Sequence, residues 1–272
     1  MKVQDLFDVR GMVTIVTGGA NGIGYACAEV MADNGAVVTV IDRDADMLST
    51  AVAQLKGLGA QVFGEVADVT DKAVLERAFD AVAKRHGRVD VVFANAGISG
   101  GPGFLNAQRE RDPSRAIEAL PDDLWDRVMA VNLTACFKTI QLAARHMKAA
   151  GGGRIVVTSS VSAFKIEQYV GTIYVASKAA VAQLVRQAAM ELARYDIRVN
   201  ALAPGPCITN IGGGRLQDKA AQEFFAGQHP NHRMATPEDM QGAAIYLASN
   251  ASRHVTGAHI LIDGGFRFGL AD

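Results

Sequence analysis

Cysteine is scarce: the chain has three, Cys27, Cys136 and Cys207, an odd number with no CxxC spacing. That excludes a disulfide framework and a thiolate zinc site, and it fits a reducing compartment. Charge of one sign is also missing. Lys+Arg 27 against Asp+Glu 28 leaves a net charge of -1, which argues against a dedicated nucleic-acid or anionic-membrane binder. No apolar run reaches membrane-spanning length, and Lys2, Asp5, Asp8 and Arg10 interrupt any signal-peptide core. The expectation is a cytoplasmic protein whose partners include no nucleic acid and no membrane. No Pro/Ser-rich linker, repeat or low-complexity tract divides the 272 residues, so residues 1–272 are read as a single domain.

What is present is an alternation. Short β-branched runs at Val13 to Val16, Val37 to Ile41, Val89 to Phe93, Ile155 to Val157, Ile197 to Val199 and His259 to Ile262 suit buried strands. Between them, apolar residues such as Val74, Leu75, Ala78, Phe79 and Val82 follow the helical period. Helix ends are marked by Asn34-Gly35, by Thr70 as a cap and by Thr236-Pro237-Glu238-Asp239. Strand and helix in alternation imply right-handed crossovers and a doubly wound α/β sheet, parallel and covered on both faces. Two stretches break the rhythm, near 98–121 and 205–233. In an open α/β sheet such segments hang over the ligand crevice. Extra length in 98–121 either shapes substrate entry or is a solvated insertion.

The turn Thr17-Gly18-Gly19-Ala20-Asn21-Gly22-Ile23-Gly24 follows a strand and opens a helix, the context of a phosphate cradle. Glycine permits close backbone approach, and free amides at the helix N-terminus favour a pyrophosphate. Asp42 ends the next strand 18 positions past Gly24, where an acid meets an adenosine ribose diol and repels a 2′-phosphate. The expected cofactor is therefore NAD. Arg43 is the counterweight, because it can pair with a 2′-phosphate.

Of five tyrosines only Tyr174 has a lysine, Lys178, one helical turn later, on the same face. An ammonium there favours phenolate, and a three-unit drop from a pKa of about 10 is worth roughly 4 kcal/mol. Tyr174 is thus the candidate acid/base.

Together these residues resemble the short-chain dehydrogenase/reductase family in its short single-domain branch. The resemblance spans nearly the whole chain. It is carried by the Thr17 to Gly24 turn, Asp68-Val69, Asn95-Ala96-Gly97, Asn132, Thr158-Ser159-Ser160, Tyr174 with Lys178, Pro204-Gly205 with Thr209, and Asp263-Gly264-Gly265. It implies a Rossmann-type sheet of about seven strands. It also implies that Asp68 and Val69 hold the adenine, that Asn95 lies along the cofactor, and that Ile208 and Thr209 meet the carboxamide. Tyr174 would exchange the proton, Lys178 would bind the ribose and tune Tyr174, a serine would hold the substrate oxygen, and Asn132 would hold a relaying water. The family commonly places that serine thirteen residues before the tyrosine, which here is Val161. Ser160 is chosen, with Gly171-Thr172-Ile173 carrying one extra residue, and Ser162 remains the alternative or a substrate contact. A homotetramer packed through helices at Asp122 to Ala149 and Tyr174 to Arg194 is implied in the same way.

The function expected is an NAD-dependent oxidoreductase interconverting a secondary alcohol and a ketone. Phe164, Ile166, Tyr169, Ile208 and Phe224 in the candidate pocket segments suggest a cyclic or fairly apolar small-molecule substrate. A polyol or sugar dehydrogenase and a 3-oxoacyl thioester reductase are the rivals, and a nucleotide-sensing regulator is the non-enzymatic one. No metal is implied. His229 and His232 lack a third ligand and read as surface loop residues, Cys207 as a packed side chain, and Trp125 as part of a packing stripe.

Overall fold

A computed structural model describes residues 2–270. Seven strands form one parallel sheet: β1 (Val13–Thr17), β2 (Val37–Asp42), β3 (Val62–Val66), β4 (Val91–Ala94), β5 (Gly153–Thr158), β6 (Ile197–Pro204) and β7 (His259–Ile262), in the order β3-β2-β1-β4-β5-β6-β7. Helix α1 (Val3–Leu6) precedes the sheet. The crossovers are α2 (Gly22–Asp33), α3 (Ala45–Gly57), α4 (Lys72–His86), α5 (Asp122–Met129), α6 (Ala135–Ala150), α7 (Thr172–Leu192), α8 (Lys219–Ala226) and α9 (Gln241–Ala248).

The central strands are β-branched and buried on both faces, as parallel strands under helices must be. One core joins α4, α6 and α7 to the sheet through Phe79, Ile140, Met147 and Val185. The other joins α2, α3 and α9 through Met31, Leu55, Phe93 and Leu247. Strand order reverses between β1 and β4, so a crevice opens beyond their carboxyl ends, which carry Gly18 and Asn95.

Three local expectations change. Helix α4 is capped by Asp71, whose carboxylate accepts from the amides of Ala73 and Val74, while Thr70 binds Asp68 instead. The helix expected at Asp122 to Ala149 is interrupted by a π-helical turn, Ala130–Thr134, centred on Asn132. Trp125 is exposed rather than packed into a core.

Candidate active site

One cleft of about 700 Å³ collects most of the expected residues. Gly18, Asn21, Gly22, Ile23, Asp42, Arg43, Asp68, Val69, Asn95, Ala96 and Gly97 line it from the first half of the chain. Ser160, Ser162, Tyr174, Lys178, Pro204, Gly205 and Thr209 line it from the second. Gly24, Asn132 and Ile208 do not. Gly24 lies behind the turn, where any Cβ would strike the Gly18 carbonyl and the Asn95 amide. Ile208 turns its amide to the Ala235 carbonyl at 2.9 Å.

The nucleotide end has the shape a pyrophosphate needs. Gly18 has φ +62°, and a Cβ there would come within 2.8 Å of Ala96 Cα, so the backbone must be bare at this point. Asn21 precedes α2 without a side-chain cap, leaving the first amides of the helix free. Asp42 Oδ2 accepts from the Ala20 amide at 3.2 Å and Oδ1 from the Asp44 amide at 3.2 Å. The carboxylate is therefore fixed at the lip of the turn. Asp68 holds Thr70 through its amide and hydroxyl, which keeps its carboxyl below the usual range, and the Arg43 charge adds to this.

At the catalytic end, α7 presents Tyr174 and Lys178 on one face. Lys178 is buried, and its Nζ donates to the Thr158 carbonyl at 2.8 Å. Burial pulls its pKa down from 10.5 to about 8. Tyr174 departs from expectation. Burial raises its pKa, the Ser160 side chain opposes that rise, and the Glu167 charge adds to it. The drop toward neutrality expected from Lys178 is not found; desolvation, which penalises phenolate and ammonium alike, sets the direction instead.

The two serines are separated by their neighbours. Ser160 caps the Val161–Ala163 turn, its Oγ accepting from the Ser162 amide at 3.1 Å, and its side chain is turned to Tyr174. Ser162 Oγ instead points to Glu167 Oε1 at 3.5 Å. Asn132 accepts from the Ile98 amide at 2.8 Å and donates to the Ile98 carbonyl at 3.0 Å and Ser177 Oγ at 3.1 Å. Its side chain anchors the start of the 98–121 stretch.

Sequence reasoning missed Glu167, Arg127 and Arg215, all of which line the cleft. No fixed spacing announces them. Of the five apolar residues expected there, none lines it: Phe164 packs on His259, Tyr169 on Phe224, and Ile166 is 90% exposed. His229 is buried rather than a surface residue, stacked on Phe266 with ring centroids 4.7 Å apart. Among the described residues no cluster suits a metal ion. Cys207 is packed, and burial raises its thiol to about 12. The 98–121 stretch has both characters. Residues 98–105 are tied to the substrate side, with the Leu105 amide on the Gln168 carbonyl and the Gly171 amide on the Gly101 carbonyl, both at 3.1 Å. Residues 106–114 are exposed.

The family described as enoyl-(acyl carrier protein) reductase matches residues 18–267. The chain is similar to L-rhamnose 1-dehydrogenase (NAD(P)(+)) of Sphingomonas sp. (strain SKA58), 33% identical over 96% of this chain and 98% of that one. It is similar to cis-4-hydroxycyclohexanecarboxylate dehydrogenase of Sinomonas cyclohexanicum, 37% identical over 93% and 96%. A short-chain type dehydrogenase/reductase from Mycobacterium marinum superposes with a TM-score of 0.85 at 34% identity, covering 98% of this chain and 99% of that one. Sequence, sheet order and cleft converge, and the chain belongs to the short-chain dehydrogenase/reductase family.

Proposed function

We propose that this oxidoreductase of secondary alcohols and ketones uses NAD and acts on a polyhydroxylated small molecule, with Tyr174 as its general acid/base. Glu167 carries the substrate reading. It is 8% exposed, lines the cleft with Tyr174, and among the described residues its one hydrogen bond is the long one from Ser162 Oγ at 3.5 Å; burial raises its pKa, and the Lys165 charge opposes that rise. A carboxylate so placed accepts hydrogen bonds from substrate hydroxyls. An apolar substrate would leave it desolvated and unpaired, which is costly.

Asp42 supports NAD, since its fixed carboxylate suits a ribose diol and repels a 2′-phosphate. The bare turn at Gly18 and the free amides of α2 fit the pyrophosphate, and Asp68 and Val69 border the adenine end. When bound, the nicotinamide accepts or donates the hydride. In oxidation Tyr174 takes the hydroxyl proton while Ser160 orients the substrate oxygen. Lys178 lies beside Tyr174 with Nζ 5.6 Å from the ring centroid, placed to hold the ribose. The π turn at Asn132 interrupts regular helix bonding, a feature frequent at functional sites.

A homotetramer and a cytoplasmic location belong to the same reading. Trp125 and Phe137 stand exposed on α5 and α6, which suits subunit contact, and the three cysteines are free thiols.

The test is a fluorescence titration with NADH and NADPH, then an NAD-linked screen of polyols against cyclic monoalcohols. NADH should bind at least tenfold tighter, about 1.4 kcal/mol. Polyols should be the better substrates, and Tyr174→Phe should abolish turnover. Tighter NADPH binding would overturn the role of Asp42, and a preference for cyclic monoalcohols that survives Glu167→Gln would overturn that of Glu167.

A further inference from the structure

Besides Arg43 at the nucleotide end, two guanidinium groups line the same cleft as Tyr174 from separate parts of the chain. Arg127 comes from α5, and Arg215 from the short 215–217 turn that follows Gly212–Gly214. A third, Arg115, stands behind them. It shares an adjoining recess with Arg127, Ser99 and Gly212; burial disfavours the protonated form of Arg215, and the Arg115 charge adds to this. The two loops that carry them are fitted to each other. A Cβ on Gly212 would come 3.0 Å from Ser99 Cβ, so the 205–233 segment rests directly on the 98–121 stretch.

Most exposed arginines with an ion pair in this protein meet a close carboxylate: Arg10 meets Asp8, Arg85 meets Glu65, Arg145 meets Glu76 and Asp80, and Arg233 meets Asp239. Among the described residues Arg127 and Arg215 have no ion pair, a lack shared with Arg43, Arg77, Arg186 and others; what sets Arg127 and Arg215 apart is that both line the cleft close to Arg115. Arg115 itself has only the long ion pair from its Nε to Asp112, at 4.0 Å, that buried Nε making no hydrogen bond. Asp123 lines the recess without pairing to any of them. Like charges gathered over a cleft are unfavourable unless an anion joins them, and a guanidinium fork matches a carboxylate with two parallel hydrogen bonds.

We propose that Arg127 and Arg215, backed by Arg115, form an anion subsite that grips a carboxylate on the substrate, so that the preferred substrate is a polyhydroxy acid. This rests on the polyol reading above and extends it. Glu167 fixes the orientation, because its charge repels a carboxylate and accepts from hydroxyls. The acid end of the substrate therefore lies at the arginines. Arg115 gives the 98–121 stretch a task that its exposed part does not show.

The experiment compares gluconate with glucitol, which have the same carbon chain and differ in the terminal group, in the wild type and in Arg127→Gln/Arg215→Gln. Gluconate should be preferred at least tenfold in kcat/KM, about 1.4 kcal/mol. The double variant should lose that preference through a raised gluconate KM. Binding of gluconate to the enzyme–NADH complex, read by NADH fluorescence, gives a second readout that does not need turnover. Oxidation of glucitol with no preference for gluconate overturns the subsite and leaves the polyol reading standing. If neither compound is oxidised, gluconate binding that the double variant abolishes supports the subsite and overturns the polyol reading. Absence of such binding overturns both. A loss of NADH affinity in the double variant as large as the loss for gluconate also overturns the subsite, since the arginines would then serve the cofactor.

Discussion

Thr158 and Asn95 are joined side chain to side chain, Thr158 Oγ1 donating to Asn95 Oδ1 at 2.9 Å. The Asn95 amide in turn donates to the carbonyls of Gly18 at 2.9 Å and Thr17 at 3.2 Å, and the Thr158 carbonyl accepts from Lys178 Nζ. A continuous chain of hydrogen bonds thus runs from α7 across β5 and β4 to the turn at Gly18. Asn95 borders the cleft, but its polar atoms are engaged within the protein. It holds the floor on which a cofactor would lie.

Asn95→Ala should therefore affect both ends of the site. The variant leaves the Gly18 carbonyl and the Thr158 hydroxyl without this partner, a loss of about 2 kcal/mol for partly buried groups. Urea unfolding should show that loss, and NADH titration should show weaker binding as the Gly18 turn relaxes. Asn95→Asp keeps the acceptor but not the donor, so it should restore the Thr158 bond and not the cofactor affinity. If Asn95→Ala loses stability but binds NADH as the wild type does, the turn does not depend on Asn95.

Lys178 makes stability depend on pH. Its folded pKa of about 8 lies below the ordinary 10.5, so the folded state disfavours its charge. Below pH 8 the penalty is complete, about 3 kcal/mol, and it is relieved as pH rises from about 8 to 10.5. Lys178→Met removes the penalty and also the bond to Thr158, worth about 1 kcal/mol. At pH 7 the inactive variant should be more stable than the wild type by about 2 kcal/mol, and near pH 10.5 the order should reverse. A constant difference across that range in chemical denaturation would contradict the buried charge.

The sheet was legible because its signals are local. β-branched runs alternating with helical periods identify parallel strands without any knowledge of contacts. Strand β3 was the exception, since Gly64 and Glu65 interrupt its apolar run. It is an edge strand with Val66 57% exposed, and Gly64 leaves room for Leu48 and Val52 of α3. The nucleotide turn and the Tyr174 and Lys178 pair were legible because their chemistry needs fixed spacing along one turn or one helix face. Glu167, Arg127 and Arg215 meet only through tertiary structure, and no spacing relates them. The energetic balance at Tyr174 was equally hidden, because spacing reveals the nearby ammonium and not the burial that opposes it.

That balance predicts a pH profile. With the Tyr174 pKa raised by burial and by Glu167 and opposed by Ser160, alcohol oxidation by the free enzyme needs a proton removed from a reluctant phenol. The kcat/KM for oxidation should climb through the alkaline range to above pH 10, while ketone reduction should fall there. Ser160→Ala should move the alkaline limb upward. Glu167→Gln should move it downward, the sign that separates its charge from a purely structural role. A limb that stays in place in both variants would assign it to another group.

Gly100 tests how closely the 98–121 stretch is coupled to catalysis. A Cβ there would come 2.9 Å from the Tyr174 amide and 3.1 Å from Tyr174 Cβ, both on the first turn of α7. The obstruction is helical backbone, so the loop or the helix must move. Gly100→Ala should cost about 1–3 kcal/mol in stability, as overpacking does. It should also displace Tyr174 from its hydride-transfer geometry, lowering kcat at least tenfold. NADH binding should change little, because the phosphate turn lies on β1 and is held by Asn95. Gly57→Ala is the matched control. Gly57 closes α3 with nothing within 4 Å of an added Cβ, and alanine there should stabilise by about 0.5–1 kcal/mol with no effect on kcat. Equal kcat in the two variants would show that the stretch is not packed on the catalytic helix as the geometry requires.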